Sequence, residues 1–252
     1  MINQTECVSY LETILEPEKF QDYCPNGLQV EGNKEINILV TGVTASQALL
    51  DAAINLKADT ILVHHGYFWR GEEPQVVGIK QRRLKQLLAN DINLIAYHLP
   101  LDAHPVIGNN AQLAKRLQIV VEGVIPDTGK PNIALYGQLE SPITAVELAT
   151  ILTTKLERKP LLIDVHERPI KHVGWCSGAA QGYIEQAARL GLDAFISGEI
   201  SEQTVHLARE LDIHYFAAGH HATERYGVKA LGEHLAEKFD LQHHFIDIDN
   251  PV

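Results

Sequence analysis

Two adjacent histidines, His64 and His65, close the apolar run Thr60-Ile61-Leu62-Val63, and residues of the same chemistry recur at the ends of later apolar runs. Ile92–Tyr97 leads to His98 and then Asp102, while Ile213–Ala218 leads to Gly219-His220-His221 and then Glu224. A further run, Ala194-Phe195-Ile196-Ser197, leads to Glu199. Imidazole and carboxylate without thiolate is the donor set of Zn, Mn, Fe, Ni or Co in catalytic sites. One four-ligand site has no use for so many donors, whereas two ions bridged by a carboxylate use about five or six. Such a pair lowers the pKa of a bridging water towards neutrality and polarises the group it attacks. Taken alone, the His64-His65 pair reads more readily as capped or hydrogen-bonded histidines than as ligands. Its weight comes from the recurrence.

The donors need a scaffold that brings strand ends together. Short apolar runs rich in β-branched residues, separated by helical periodicity, read as buried parallel strands, and open α/β sheets place their ligands at the C-terminal ends of such strands. Ile36–Val43, Thr60–His65 and Ile92–Tyr97 read as strands, with a helix over Ser46–Leu56 between the first two. Successive strand residues face opposite ways, so both imidazoles serve one centre only if the strand breaks at Gly66; otherwise each serves its own ion. Val8, Leu11, Ile14 and Leu15 mark an opening helix stopped by Pro17, and Pro25–Gly32 reads as a tight loop entering a sheet. Further on, a basic helix carries Lys80, Arg82, Arg83 and Lys85, and another spans Asn109–Leu117. Ile133–Leu139 and Leu161–Val165 read as strands flanking a helix over Ile143–Leu156.

The segment from Ile170 to Glu199 repeats the strand, helix and strand of residues 36 to 65 without a gap. Ala179 falls on Ala45, Gln181 on Gln47, Asp193 on Asp59 and Glu199 on His65. Few positions are identical, so the parallel rests on the shared apolar pattern and on ligand-type residues at both strand ends. The expected fold is therefore α/β, with two related α/β domains from an internal duplication. Pro126-Asp127-Thr128-Gly129-Lys130-Pro131 is turn-rich and marks the expected boundary, giving halves 1–126 and 127–252.

A chain of 252 residues can bury a sizeable core. Its net charge of -11 argues against a general nucleic-acid or anionic-membrane surface, which needs clustered Lys and Arg. Cys7, Cys24 and Cys176 are odd in number and form no CxxC, so neither a disulfide framework nor a thiolate zinc site is expected. With no basic n-region, apolar h-region or run of transmembrane length, the expectation is a cytoplasmic protein. Among the thirteen histidines, His243 and His244 read as surface residues.

PNGLQVEG (25–32), LVHHGYFW (62–69), HLPLDAHPVIGNNAQLA (98–114) and AAGHHATE (217–224), in this order and over nearly the whole chain, resemble the Nif-three-like family, also labelled the GTP cyclohydrolase 1 type 2 homologues. The resemblance implies a dinuclear metal centre in a cleft between the domains and a toroidal homohexamer. It carries over His64, His65, Asp102, His220 and Glu224 as ligands to two divalent ions (Zn, Mn, Fe or Ni), with Glu224 bridging. His98 stands beside the set as a catalytic proton-transfer residue or a further ligand, and His221 turns away if His220 turns in. The resulting expectation is a metal-dependent hydrolase acting on a small molecule, with a purine nucleotide such as GTP suggested by the family label. Tyr67, Phe68 and Trp69 would stack a base and the basic helix would hold phosphates, although packing and solvation explain both features as well. Glu199 is either a proton carrier or a strand-end cap. The alternative is a ring protein that stores or delivers ions or binds partners, for which the same donors would serve.

Overall fold

A computed structural model of the chain describes residues 1–129 and 131–252. Lys130, within the expected boundary stretch, lies outside the described residues. The chain begins with β1 (Ile2–Asn3), α1 (Gln4–Leu15), β2 (Gly27–Val30), β3 (Glu35–Ile36), β4 (Ile38–Thr44), α2 (Gln47–Asn55), β5 (Thr60–His65), α3 (Gly78–Ala89), β6 (Asn93–Ala96) and α4 (Leu99–Ala103). It continues with α5 (Asn109–Leu117), β7 (Val120–Val124), β8 (Leu135–Ile143), α6 (Ala145–Leu156), β9 (Leu161–Ile163), β10 (Ile170–Cys176) and α7 (Ile184–Arg189). β11 (Ala194–Ser197), α8 (Glu202–Glu210), β12 (His214–Ala217), α9 (His220–Phe239) and β13 (Gln242–Phe245) complete it. Among the described residues no helix is long and apolar enough to cross a membrane.

Local chemistry sets the ends of these elements. Asn3 caps α1 by accepting the Thr5 N–H, and the helix buries Cys7, Leu11 and Leu15. Glu16 then adopts a left-handed conformation (φ 47°) and Pro17 prevents continuation. Ser46 caps α2, and Thr144 with Glu147 forms a reciprocal capping box on α6. That cap explains why Ile143 ends a strand instead of opening the helix.

Two compact units result, one comprising Met1–Leu101 with Gly227–Asp249, the other Asp102–Tyr226 with Asn250–Val252. The division does not follow the turn-rich stretch near residue 126. β7 on one side of that stretch pairs with β8 on the other, so both strands belong to one sheet. β13 returns to the first unit because it pairs in parallel with β4.

The first unit holds a sheet ordered β13-β4-β5-β6-β2, parallel except for β2. Val40, Ile61, Val63 and Leu94 pack against Leu49, Leu50 and Ala53 of α2. The second unit holds a sheet ordered β7-β8-β10-β11-β12-β9, in which β10, β11 and β12 are parallel. β11 and β12 are buried on both faces, which is why they read as continuous apolar runs. Ile196 and Phe216 pack with Leu148, Leu152 and Leu156 of α6, while Phe195 and Tyr215 pack with Ile184, Ala187 and Ala208.

Three strands depart from expectation. Gly27–Val30 reads as part of a turn but pairs with β6 as an antiparallel edge strand. β7 carries valines that are about half exposed or more, so it lacks the signature of a buried strand. His243 and His244 lie in β13, not on an open surface: the Thr41 hydroxyl is 2.7 Å from His243 Nε2.

Candidate metal centre

In the first unit, β5 carries His64 and His65 to its C-terminal end. The strand ends at His65 and Gly66 lies beyond it, where the sequence places a break. The two rings lie 4.7 Å apart between centroids, tilted by 44°. Gly66 has another reason to be glycine: a Cβ there would fall 2.2 Å from Gln29 Oε1, the atom that accepts the Tyr67 N–H. His98, just beyond β6, brings its ring within 5.0 Å of His64 and 5.7 Å of His65. One nitrogen from each of these three imidazoles lies within 4.8 Å of the others.

Each ring is held from behind through Nδ1. His64 Nδ1 is 3.0 Å from the Tyr97 carbonyl oxygen, and His65 Nδ1 is 3.2 Å from the Thr44 hydroxyl. His98 Nδ1 is 2.7 Å from Asp22 Oδ1. Donation from Nδ1 to a carbonyl or carboxylate leaves the lone pair on Nε2, the arrangement in which a neutral imidazole ligates a metal. Burial pushes the Asp22 carboxyl upward in pKa, but the bond and charge of His98, helped by Asn26 and the Tyr23 N–H, outweigh it and hold the group below the usual carboxylate range. Trp69 stands edge-on against His98, with 5.0 Å between ring centroids, and donates its indole N–H to the Gly66 carbonyl.

Cys24 also lies near Asp22 and His98. Burial, and then the Asp22 charge, push its thiol up to about 12.

In the second unit, His220 opens α9 and Glu224 follows one turn later, so both side chains share a helix face. His220 Nε2 is 3.1 Å from Glu224 Oε2, and its Nδ1 is 2.7 Å from Glu199 Oε1. Burial alone would lower the His220 pKa, but the hydrogen bonds and charges of Glu224 and Glu199 raise it to about 9. Asp102, buried, accepts at Oδ1 from Asn109 Nδ2 (2.9 Å) and from the Ser177 hydroxyl (2.8 Å). Gly178, at φ +65°, leaves room for the carboxylate: a Cβ there would lie 2.3 Å from Glu224 Oε1 and 3.2 Å from His220 Nε2. His221 is buried, and its backbone N–H donates to the Val252 carbonyl.

The donors fit a divalent ion. Their types are imidazole and carboxylate, Nδ1 of each histidine already faces an acceptor, and Gly178 keeps side-chain volume away from Glu224. His64, His65 and His98 come together in one unit, and Asp102, His220 and Glu224 are contributed by the other.

The model of the family described as Duf34/NIF3 (NGG1p interacting factor 3) matches residues 2–251. The chain belongs to the DUF34/NIF3 family. Among DUF34/NIF3 relatives, a Pseudomonas aeruginosa protein named "GTP cyclohydrolase 1 type 2 homolog" is 56% identical over 97% of both chains. One of the same name from Vibrio cholerae is 57% identical over the full length of both. A solved structure titled "protein ybgI, unknown function" shares 52% identity, with a TM-score of 0.96 over the whole of each chain. Another, TTHA1606 from Thermus thermophilus, shares 32% identity at a TM-score of 0.89, again over the whole of each chain. The mixed α/β fold with its multiple sheets is thus the NIF3 fold.

The supporting residues escaped sequence reasoning. Asp22 lies outside the stretches the sequence marks, and Asn26 lies in Pro25–Gly32, which reads as a tight loop. Asn109 and Ser177 gain a role only through folding, since 75 residues separate Ser177 from Asp102. Gly178 lies in the segment that the internal alignment sets on residues 36–65, where its partner Thr44 has no comparable demand.

Proposed function

We propose that this DUF34/NIF3 protein is a dinuclear-metal hydrolase. His64, His65, Asp102, His220 and Glu224 would hold two divalent ions, with Glu224 shared and His98 beside them. The observation that carries the reading is the state of the donors. Each imidazole Nδ1 faces an oxygen acceptor, so that orientation is built in before any ion arrives. The occurrence of such donors at strand ends in two separately built sheets also supports an internal duplication.

When bound, two ions supply Lewis acidity that activates water near neutral pH and polarises the substrate. The chain's own residues do the rest. His98, oriented by Asp22, offers Nε2 as a further ligand or to accept or return a proton. Trp69 walls the histidines on one side and restricts the approach of water and substrate. Glu199 is engaged with His220 Nδ1, so its role in this reading is to hold that ring, not to carry a proton.

The substrate class is a purine nucleotide, in line with the names of the curated relatives. Trp69 offers an aromatic edge for a base, whereas Tyr67 is buried with its hydroxyl donating to the Ala45 carbonyl and does not serve as a stacking surface. The basic helix α3 is less suited to phosphate than its charge suggests, because Lys80 already pairs with Glu72 at 3.3 Å. A homohexamer in the cytoplasm completes the proposal. Its test is a hydrolysis screen with protein reloaded with Mn, Zn, Fe or Ni, beginning with GTP and following the ring-opened product by ultraviolet absorbance. Turnover abolished by chelation and restored by metal supports the reading. Tight metal binding with no turnover across nucleotides would replace it with an ion storage or delivery role.

A further inference from the structure

We infer that Asp22 and Glu199 are a matched pair of positioning residues, each giving its unit one carboxylate-backed histidine, His98 and His220 respectively. The inference rests on the metal reading above and deepens it. Within the first unit the three imidazoles are not equivalent. His64 and His65 are backed by neutral acceptors, a carbonyl and a hydroxyl, whereas His98 is backed by a carboxylate at 2.7 Å. In the second unit His220 is backed by Glu199 at the same distance. A carboxylate on Nδ1 fixes the tautomer, restrains ring rotation and makes Nε2 a more basic ligand.

The surroundings of Asp22 hold it to this task. Its side chain is 4% exposed, and donors converge on both oxygens. Oδ1 accepts from the Tyr23 N–H as well as facing His98 Nδ1, while Oδ2 accepts from Asn26 Nδ2 (2.9 Å) and the Leu99 N–H (3.0 Å). Asn26 Oδ1 in turn accepts the His98 N–H at 2.8 Å, so the ring and the backbone of His98 are tied to one polar cluster. An amide at position 22 would turn its NH2 against donors in either orientation. Asp22→Asn therefore removes the orienting bond or strains the cluster with little change in shape. Glu199 is placed differently but to the same end, since the Tyr215 hydroxyl donates to its carbonyl and pins its backbone below His220.

The test uses the full chain, stripped of metal, as wild type, Asp22→Asn, Glu199→Gln and Thr44→Val. Thr44→Val removes a neutral acceptor and serves as the comparison. Co(II) is titrated in, with affinity read by competition against a chromophoric chelator and geometry read from the visible absorption of the ion. Long-range proton–nitrogen NMR of the metal-free proteins reports the tautomer of His98. The expected result is a loss of affinity of about 10- to 100-fold in Asp22→Asn and Glu199→Gln, with an altered Co(II) spectrum in both and loss of the fixed Nδ1–H tautomer of His98 in Asp22→Asn. Circular dichroism should stay unchanged, and Thr44→Val should have a smaller effect on affinity. Should Asp22→Asn fail to fold, Glu199→Gln alone decides. Wild-type affinity, spectrum and tautomer in the carboxylate variants would overturn the inference while leaving the metal reading intact. A wild type that takes up no Co(II) would overturn both.

Discussion

Replacing Gly178 with alanine perturbs the second unit's donors through a single methyl group. Gly178 has φ +65°, and its Cβ would lie 2.3 Å from Glu224 Oε1, where ordinary contact begins near 3.4 Å. The carboxylate must therefore retreat by about 1 Å, several times the roughly 0.2 Å tolerance of a metal–ligand distance. Left-handed backbone costs an alanine about 1–2 kcal/mol apart from any contact. Gly191→Ala isolates that cost, because Gly191 has φ +71° and its Cβ would meet nothing within 4 Å. In a chain of this length about 1 kcal/mol lowers Tm by roughly 2–4 °C. Gly191→Ala should show that drop and bind metal normally. Gly178→Ala should melt at least as low and lose metal affinity by about tenfold or more, since a ligand is displaced. Calorimetry on the stripped proteins and chelator competition on the reloaded ones measure the two quantities. Equal metal affinities for the two variants would refute the claim that Gly178 is glycine to make room for the Glu224 ligand.

Other outcomes follow from separate parts of the molecule. Burial first, and then the charges of His244 and Lys229, lower the His243 pKa from 6.5 to about 4. The unfolded chain therefore binds this proton more readily, so stability is full above pH 6.5 and falls as pH drops towards 4, by about 1–2 kcal/mol after allowing for partial exposure. Urea melts across that range should show the slope, and His243→Gln should flatten it. Thr144→Ala breaks the α6 capping box and should cost about 1 kcal/mol in denaturant melts, with metal content unchanged. Because Trp69 borders His65 and His98 while Trp175 is fully buried, Co(II) should quench part of the wild-type emission. Trp69→Phe should remove most of that quenching; unchanged quenching would place the emitting contact elsewhere.

The parts of this molecule legible in its sequence are those governed by local chemistry. The apolar run Thr60–Val63 announces β5, and the bounds of α5 match Asn109–Leu117 residue for residue. The histidines are legible because few other roles explain repeated imidazoles at strand ends. Long-range pairing is what stays hidden. β13 is a short polar-looking strand whose partner β4 lies some two hundred residues earlier, and nothing local marks Gln242–Phe245 as belonging there. The same holds for Asp22, whose task is set by His98, 76 residues on. Gly66 shows a different limit. Its presence marks the end of β5, and the strand does stop before it, but the fold also uses it to admit the Gln29 amide, a contact no periodicity records.

The most direct test of the central claim is elemental analysis of gently purified protein beside His64→Ala and His220→Ala, each checked for folding by circular dichroism. The two histidines belong to different units, so each variant removes a ligand from a different donor set. About two transition-metal ions per wild-type chain, reduced in both folded variants, is the predicted result. A wild type that holds no ion after incubation with Zn, Mn, Fe and Ni would contradict the account and return these histidines to purely structural roles.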